Sequence, residues 1–168
     1  MIIGNVLTVK TDHIEAIISK DEVIGLLKQK RITELENTVI ISISDPEYIE
    51  DSRAPIQEKY LRQFDKFLRV KFFDEVSESY LSDDGIEVYP IEQKELDLIV
   101  GFIKQNKDKK FIINCNAGVS RSAGIGLLVS AILGNFDDKY HFKTSFDDVI
   151  SEHYRYSPNL TPLDKFYQ

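Results

Sequence analysis

Only one cysteine, Cys115, stands in the 168 residues. An internal disulfide is therefore excluded, and nothing in the cysteine usage points to secretion. Histidine is scarce as well: the chain has His13, His141 and His153, and no pair has metal-ligand spacing. A single cysteine cannot complete a zinc site with them, so they read as surface or half-buried residues. No apolar run reaches the roughly 18 residues of a membrane span. The start, Met1-Ile2-Ile3-Gly4-Asn5, lacks the basic segment and cleavage pattern of a signal peptide. These absences predict a cytoplasmic protein with no membrane partner. Basic residues are in deficit, 21 Lys+Arg against 28 Asp+Glu, for a formal net charge of −7 and a pI near 5.0. Such a surface repels polyanions, so nucleic acid is not an expected partner. The densest basic stretch, Lys104 to Lys110, is interrupted by Asp108 and reads as a solvated helix end followed by a turn. Repeats and low-complexity segments are absent.

What is present is ordinary for a globular protein. Hydrophobic residues make up 42% and charged residues 29%, and the length suits one domain over residues 1–168 with a sizeable core. Residues 38–44 are β-branched and mostly apolar, which predicts a buried strand ended by Asp45-Pro46. Residues 2–9 and 14–18 are shorter strand candidates. Residues 67–72 alternate apolar and basic, as a half-buried strand does, and run into Asp74-Glu75 and an acidic loop through Asp83-Asp84-Gly85. Helical spacing of apolar residues predicts helices over 21–30, 55–64, 91–106, 121–133 and about 145–155. Strands alternating with helices predict an α/β protein: a central, mostly parallel sheet of about four to five strands flanked by helices. In such sheets ligands bind outside the carboxyl ends of the strands. Asp74 and Cys115 each lie just past a predicted strand and could meet there. Tyr80, Tyr89, Tyr140, Tyr154 and Tyr156 all stand near polar residues; packing explains most of them, and some could line a substrate groove.

The most informative stretch is Asn114-Cys115-Asn116-Ala117-Gly118-Val119-Ser120-Arg121-Ser122. Apolar Phe111-Ile112-Ile113 precedes it, and Ala123-Gly124-Ile125-Gly126-Leu127-Leu128-Val129 follows. The order is strand, tight loop, helix. A thiolate is the nucleophilic form of cysteine, and helix N-termini and nearby cations lower a thiol's pKa. Here the following helix offers its dipole and Arg121 its charge. The backbone N–H groups of Asn116, Ala117, Gly118, Val119, Ser120 and Arg121 can turn inward as an anion-binding nest. Gly118 tolerates a backbone angle that a side chain would forbid. Arg121 can grip two phosphate oxygens through its planar fork. Ser122 can hydrogen-bond the thiolate and help it leave in a second step.

This loop resembles the signature loop of the cysteine-dependent protein tyrosine and dual-specificity phosphatases. Low-molecular-weight tyrosine phosphatases carry a similar loop near the N-terminus. Here it falls two-thirds along the chain, as in the dual-specificity group. Arg155-Tyr156-Ser157-Pro158-Asn159, with Phe166 beyond it, resembles the segment that closes that domain. The resemblance covers roughly residues 38–168. It implies a tyrosine-phosphatase-like fold, a phosphocysteine intermediate, and no metal or cofactor. It further implies Cys115 as nucleophile, Arg121 as phosphate clamp, Asn159 bonded near the phosphate loop, and a phosphorylated protein or small phosphomonoester as partner, phosphotyrosine protein first.

The leaving group needs a proton, which a carboxylic acid on a separate loop supplies. The resemblance places that acid at Asp74, with Glu75 one step away as the alternative. One departure stands out: the family usually has histidine before the cysteine, and this chain has Asn114. That histidine helps order the loop and lower the thiol's pKa, so the change predicts reduced activity or a raised pH optimum. Two further readings stay open: a pseudophosphatase that binds phosphorylated ligands with little or no turnover, and a phosphatase of nucleotides or inositol phosphates. Arsenate reduction is disfavoured, because it needs extra cysteines.

Overall fold

The computed structural model describes residues 13–74, 76, 78–133 and 157–168. Four parallel strands form its central sheet, in the order β1-β6-β2-β3: β1 (Ile14–Ser19), β2 (Thr38–Ser44), β3 (Lys66–Lys71) and β6 (Lys110–Cys115). A two-stranded antiparallel hairpin, β4 (Tyr80–Leu81) with β5 (Glu87–Val88), lies apart from it. The α/β architecture with a mostly parallel sheet is as the alternating pattern predicts.

β2 is buried along its whole length, as expected of an apolar, β-branched strand flanked on both sides. Register then assigns alternate residues to opposite faces. Ile41 of β2 pairs with Ile113 of β6 on one face, and Ile40 pairs with Ile112 on the other. The first face is covered by α3 (Gln93–Gln105), α4 (Arg121–Ile132) and α5 (Thr161–Phe166), through Leu96, Ile99, Ile103, Leu128 and Leu163 among others. The second is covered by α1 (Lys20–Lys28) and the β2–β3 crossover, through Val23, Leu26, Ile56, Leu61 and Phe64. Each fully buried isoleucine stabilises the fold by roughly 1.5–3 kcal/mol relative to exposure. α4 is apolar on every side and nearly all of it is buried, so it behaves as a core helix rather than a surface one. α1 starts with a reciprocal cap. The Ser19 hydroxyl accepts from the Glu22 N–H, and Glu22 accepts from the Ser19 N–H, both at 3.1 Å.

Several expectations change in detail. The helix predicted over 55–64 is a single turn, α2 (Glu58–Leu61). No side chain caps it, and Leu61 and Phe64 are drawn into the core on either side of an abrupt exit. The acidic stretch around Asp83-Asp84-Gly85 is the turn of the β4–β5 hairpin rather than a plain loop. The helix α5, begun by Thr161-Pro162, was not expected; proline in a first turn sacrifices no hydrogen bond there. The strand predicted over 2–9, the helix over 145–155, and the residues Arg155, Tyr156, Tyr140, Tyr154, His141 and His153 lie outside the described residues.

Because the sheet strands are parallel, all their carboxyl ends lie along one edge. Ser19 pairs with Cys115 there, and Ser44 with Lys71. The order reverses at β2: the chain passes from β2 to β3 on one side, then returns to β6 on the other. The crevice at such a reversal is where open α/β sheets place ligands. Asp45, Asp74 and Asn116 follow directly, or within a few residues, from the strand ends on that edge.

Candidate active site

β6 is bonded on both sides, to β1 and to β2, so the position of its last residue is well determined. That residue, Cys115, is buried, and the chain turns sharply after it. Gly118 makes the turn with φ of +74°. A Cβ at this position would run into the Ile18 carbonyl carbon and the Ser19 nitrogen, so the site demands glycine for backbone angle and for space. The Gly118 N–H points back at the sulfur and donates to Sγ at 3.2 Å. Ser122, in the first turn of α4, places its Oγ 3.2 Å from the same sulfur. The thiol thus lies at the start of a helix with no side-chain cap. The N–H groups of Ala117, Val119, Ser120 and Arg121 meet no acceptor among the described residues. Free N–H groups around one helix start suit an oxyanion.

Burial alone would push the Cys115 thiol up, because an apolar setting disfavours the thiolate. Hydrogen bonds from the Ser122 side chain and backbone, the Arg121 charge and the Gly118 N–H outweigh it, and the thiol's pKa lies below the ordinary cysteine value. Asn114 takes no part in this. Among the described residues its Nδ2 reaches only the Cys115 carbonyl, at 3.4 Å, and its buried Oδ1 has no partner. Asparagine rather than histidine before the cysteine therefore does not prevent a lowered thiol pKa, since the groups that lower it come from the loop and α4. Asn114 lines a cavity of about 10 Å³, shared with Lys20, Ser44, Asp45 and Asn116. That is about the space of one water molecule.

Arg121 is buried, and a carboxylate holds it. Its Nη1 donates to Asp45 Oδ1 at 2.6 Å and to the Phe72 carbonyl at 2.9 Å. Asp45 Oδ2 accepts from Arg53 Nε, also at 2.6 Å, so one carboxylate bridges a buried and a partly exposed guanidinium. The same contact raises the Arg53 pKa above its ordinary value. With Nη1 committed, Nη2 and Nε have no partner among the described residues and are the donors left for an anion. Asp45 was missed from sequence, where Asp45-Pro46 reads as a strand terminator. Its place immediately past β2, on the ligand edge, was the available signal.

Asp74 stands on the surface beside the loop. Its Oδ1 accepts from Ser120 Oγ at 2.7 Å and from Asn159 Nδ2 at 3.3 Å. The structure thus brings Asp74 to the cysteine loop, while Glu75 lies outside the described residues. Asn159 is buried and makes three connections besides. Its N–H donates to the Ser120 carbonyl at 3.0 Å, its Oδ1 accepts from the Thr161 N–H at 3.0 Å, and its carbonyl presses on the first turn of α4 so closely that a Cβ at Gly124 would strike it. The Ser157 N–H donates to the Val119 carbonyl at 3.0 Å. The Pro-Asn segment therefore straps the loop, Asp74 and α5 together. Asp83 and Asp84 are exposed on the hairpin turn.

No family model matches the chain, and no curated protein matches it. Solved structures do. The chain is similar to the human tyrosine phosphatase-like serine/threonine/tyrosine-interacting protein, at 17% identity and a TM-score of 0.49, over 89% of this chain and 85% of that one. It is similar to PTPMT1, solved in complex with PI(5)P, at 15% identity and a TM-score of 0.47, over 90% of this chain and 84% of that one. It is also similar to Tk-PTP in its active form, at 14% identity and a TM-score of 0.44, over 80% and 82% of the two chains.

Proposed function

We propose that the protein is a phosphomonoester hydrolase that works through a phosphocysteine, acting first on phosphotyrosine in proteins. The observation that carries this reading is the environment of Cys115: a thiol of lowered pKa, bonded by Gly118 and Ser122, at the floor of an uncapped helix start. In the first step Cys115 Sγ attacks phosphorus and the bond to the leaving oxygen breaks. Asp74 gives that oxygen its proton through Oδ2, which has no partner among the described residues. In the second step Asp74 takes a proton from water as the water attacks the phosphocysteine, and inorganic phosphate and the thiolate are released. Arg121 and the loop N–H groups hold the equatorial oxygens through both steps. Asp45 orients Arg121, and Asn159 and Ser120 orient Asp74. The activity belongs in this reading to one cytoplasmic domain over residues 1–168.

The second reading, a pocket that binds phosphorylated ligands without turnover, is favoured by Asn114, which is not among the groups that lower the thiol's pKa and whose Oδ1 has no partner among the described residues. Hydrolysis of para-nitrophenyl phosphate separates the two. Wild type should turn it over, Cys115→Ser should abolish turnover while keeping phosphate or vanadate binding, and Asp74→Asn should lower kcat by about 10²–10⁴-fold, as loss of a general acid does. An inactive, folded wild type that still binds a phosphopeptide would favour the second reading. An active Cys115→Ser variant would overturn the nucleophile assignment.

A further inference from the structure

A cleft of about 440 Å³ runs outward from the inner edge of this site. At its inner end are Asp45, which holds Arg121, and Arg53, which is tied to the same carboxylate. Phe73 is on its floor, between Phe72, whose carbonyl accepts from Arg121, and Asp74, which accepts from Ser120. The cleft therefore adjoins the side of the cysteine loop on which Arg121 and Asp74 stand. Its two walls come from separate parts of the chain: the segment after β2, and the β4–β5 hairpin.

The lining is both acidic and apolar. Glu47 and Glu50 stand on one wall and Asp84 on the other, and lysine is absent from it among the described residues. The one lining cation among the described residues, Arg53, is engaged by Asp45, which it shares with Arg121, whereas Glu47 and Asp84 have no ion-pair partner among the described residues. Between the acids, Tyr48 is 44% and Ile49 66% exposed, large apolar surfaces to leave in water. Opposite them the Phe73 ring is fixed edge-on against Tyr89, at 5.2 Å between centroids and 87°. A cation and an apolar stem together match such a lining, and lysine and arginine side chains carry both. A ligand with a second phosphate would set it against unpaired carboxylates, a like-charge contact that counts against polyphosphorylated nucleotides and inositol phosphates.

We propose that this cleft is a flanking-residue subsite for phosphorylated protein segments that carry lysine or arginine beside the phosphorylated residue. The proposal rests on the phosphatase reading and adds its substrate class.

The test compares two phosphotyrosine peptides that differ only in an arginine or a glutamate at the flanking positions, assayed at low ionic strength. Wild type should favour the arginine peptide by about tenfold in kcat/KM, the sum of a few partly screened charge pairs. The double reversal Glu47→Lys with Asp84→Lys should erase or invert that preference. Hydrolysis of para-nitrophenyl phosphate, which fills only the loop, should stay within about twofold of wild type. A wild-type ratio near one, a preference for the glutamate peptide, or faster hydrolysis of an inositol bisphosphate than of the arginine peptide would overturn the subsite. If the folded protein leaves para-nitrophenyl phosphate untouched, the phosphatase reading falls instead. Fluorescence anisotropy of the same two peptides then decides the cleft: a tenfold ratio of Kd supports it, and equal Kd overturns it.

Discussion

Cys115 Sγ has two neighbours at the same distance, the Gly118 nitrogen and Ser122 Oγ, each at 3.2 Å. Gly118 is fixed by the turn, so Ser122 is the partner that can be removed cleanly. Ser122→Ala takes away a hydrogen bond that favours the thiolate, and the thiol's pKa rises toward the ordinary value. The pH midpoint of Cys115 alkylation by iodoacetamide should move upward, and at a pH below the wild-type midpoint the rate should fall by about tenfold or more, since a hydrogen bond to a charged group is worth roughly 1.5–3 kcal/mol. The linkage has a definite sign. The folded thiol's pKa lies below that of the unfolded chain. Its ionisation therefore stabilises the fold fully above the unfolded cysteine's pKa, and that contribution is lost as pH falls through the folded value. An unchanged alkylation profile in Ser122→Ala would remove Ser122 from the account. Cys115, Arg121 and Ser122 were legible in sequence because chemistry and spacing coincide in one short string. Asp45 was not. The carboxylate that holds Arg121 is separated from it by much of the chain, and no local pattern links the two.

At the scale of elements, the unit formed by β6, the loop and α4 was readable, since an apolar run, a glycine and a second apolar run each carry their own signal. The β4–β5 hairpin was not, because strands of two residues leave no alternation to see. The strap through Asn159 was half readable: the Pro-Asn pair marked a segment near the loop, but its contact with α4 depends on Gly124, a glycine inside a helix. Helical glycine destabilises by about 1 kcal/mol relative to alanine, so propensity alone favours Gly124→Ala. Packing reverses the sign, because the added methyl strikes the Asn159 carbonyl. The variant should push the Pro-Asn segment off α4 and release Asn159 Nδ2 from Asp74, at a cost of about 1–3 kcal/mol in urea unfolding. Hydrolysis of aryl phosphates with poor leaving groups should suffer more than that of activated ones, since Asp74, the proposed acid, is displaced and the thiol is not. Greater stability in Gly124→Ala would show that the strap yields freely and does not hold the acid.

Strand order is a property of the whole molecule, and the sequence alone did not reveal that β6 inserts between β1 and β2. Hydrophobic periodicity reports which residues face a core, not which strand lies beside which. Yet that insertion is what brings Asp45, Asp74 and Cys115, from the ends of three different strands, to one edge. Net charge was fully legible, and it acts at the same scale. The molecule carries −7 formally, while its loop offers Arg121 and a helix start to a dianion. The two fields oppose each other at different ranges. The loop acts on contact and at low exposure, where salt screens little, whereas the distributed negative charge acts across solvent, where the Debye length is about 10 Å at 0.1 M and roughly 30 Å at 0.01 M. Added sodium chloride should therefore remove the repulsion first. For para-nitrophenyl phosphate, kcat/KM should rise by about twofold between 0.01 M and 0.1 M salt, carried by KM rather than kcat. A monotonic fall over that range would mean that local cations, not the net charge, govern the approach of the substrate.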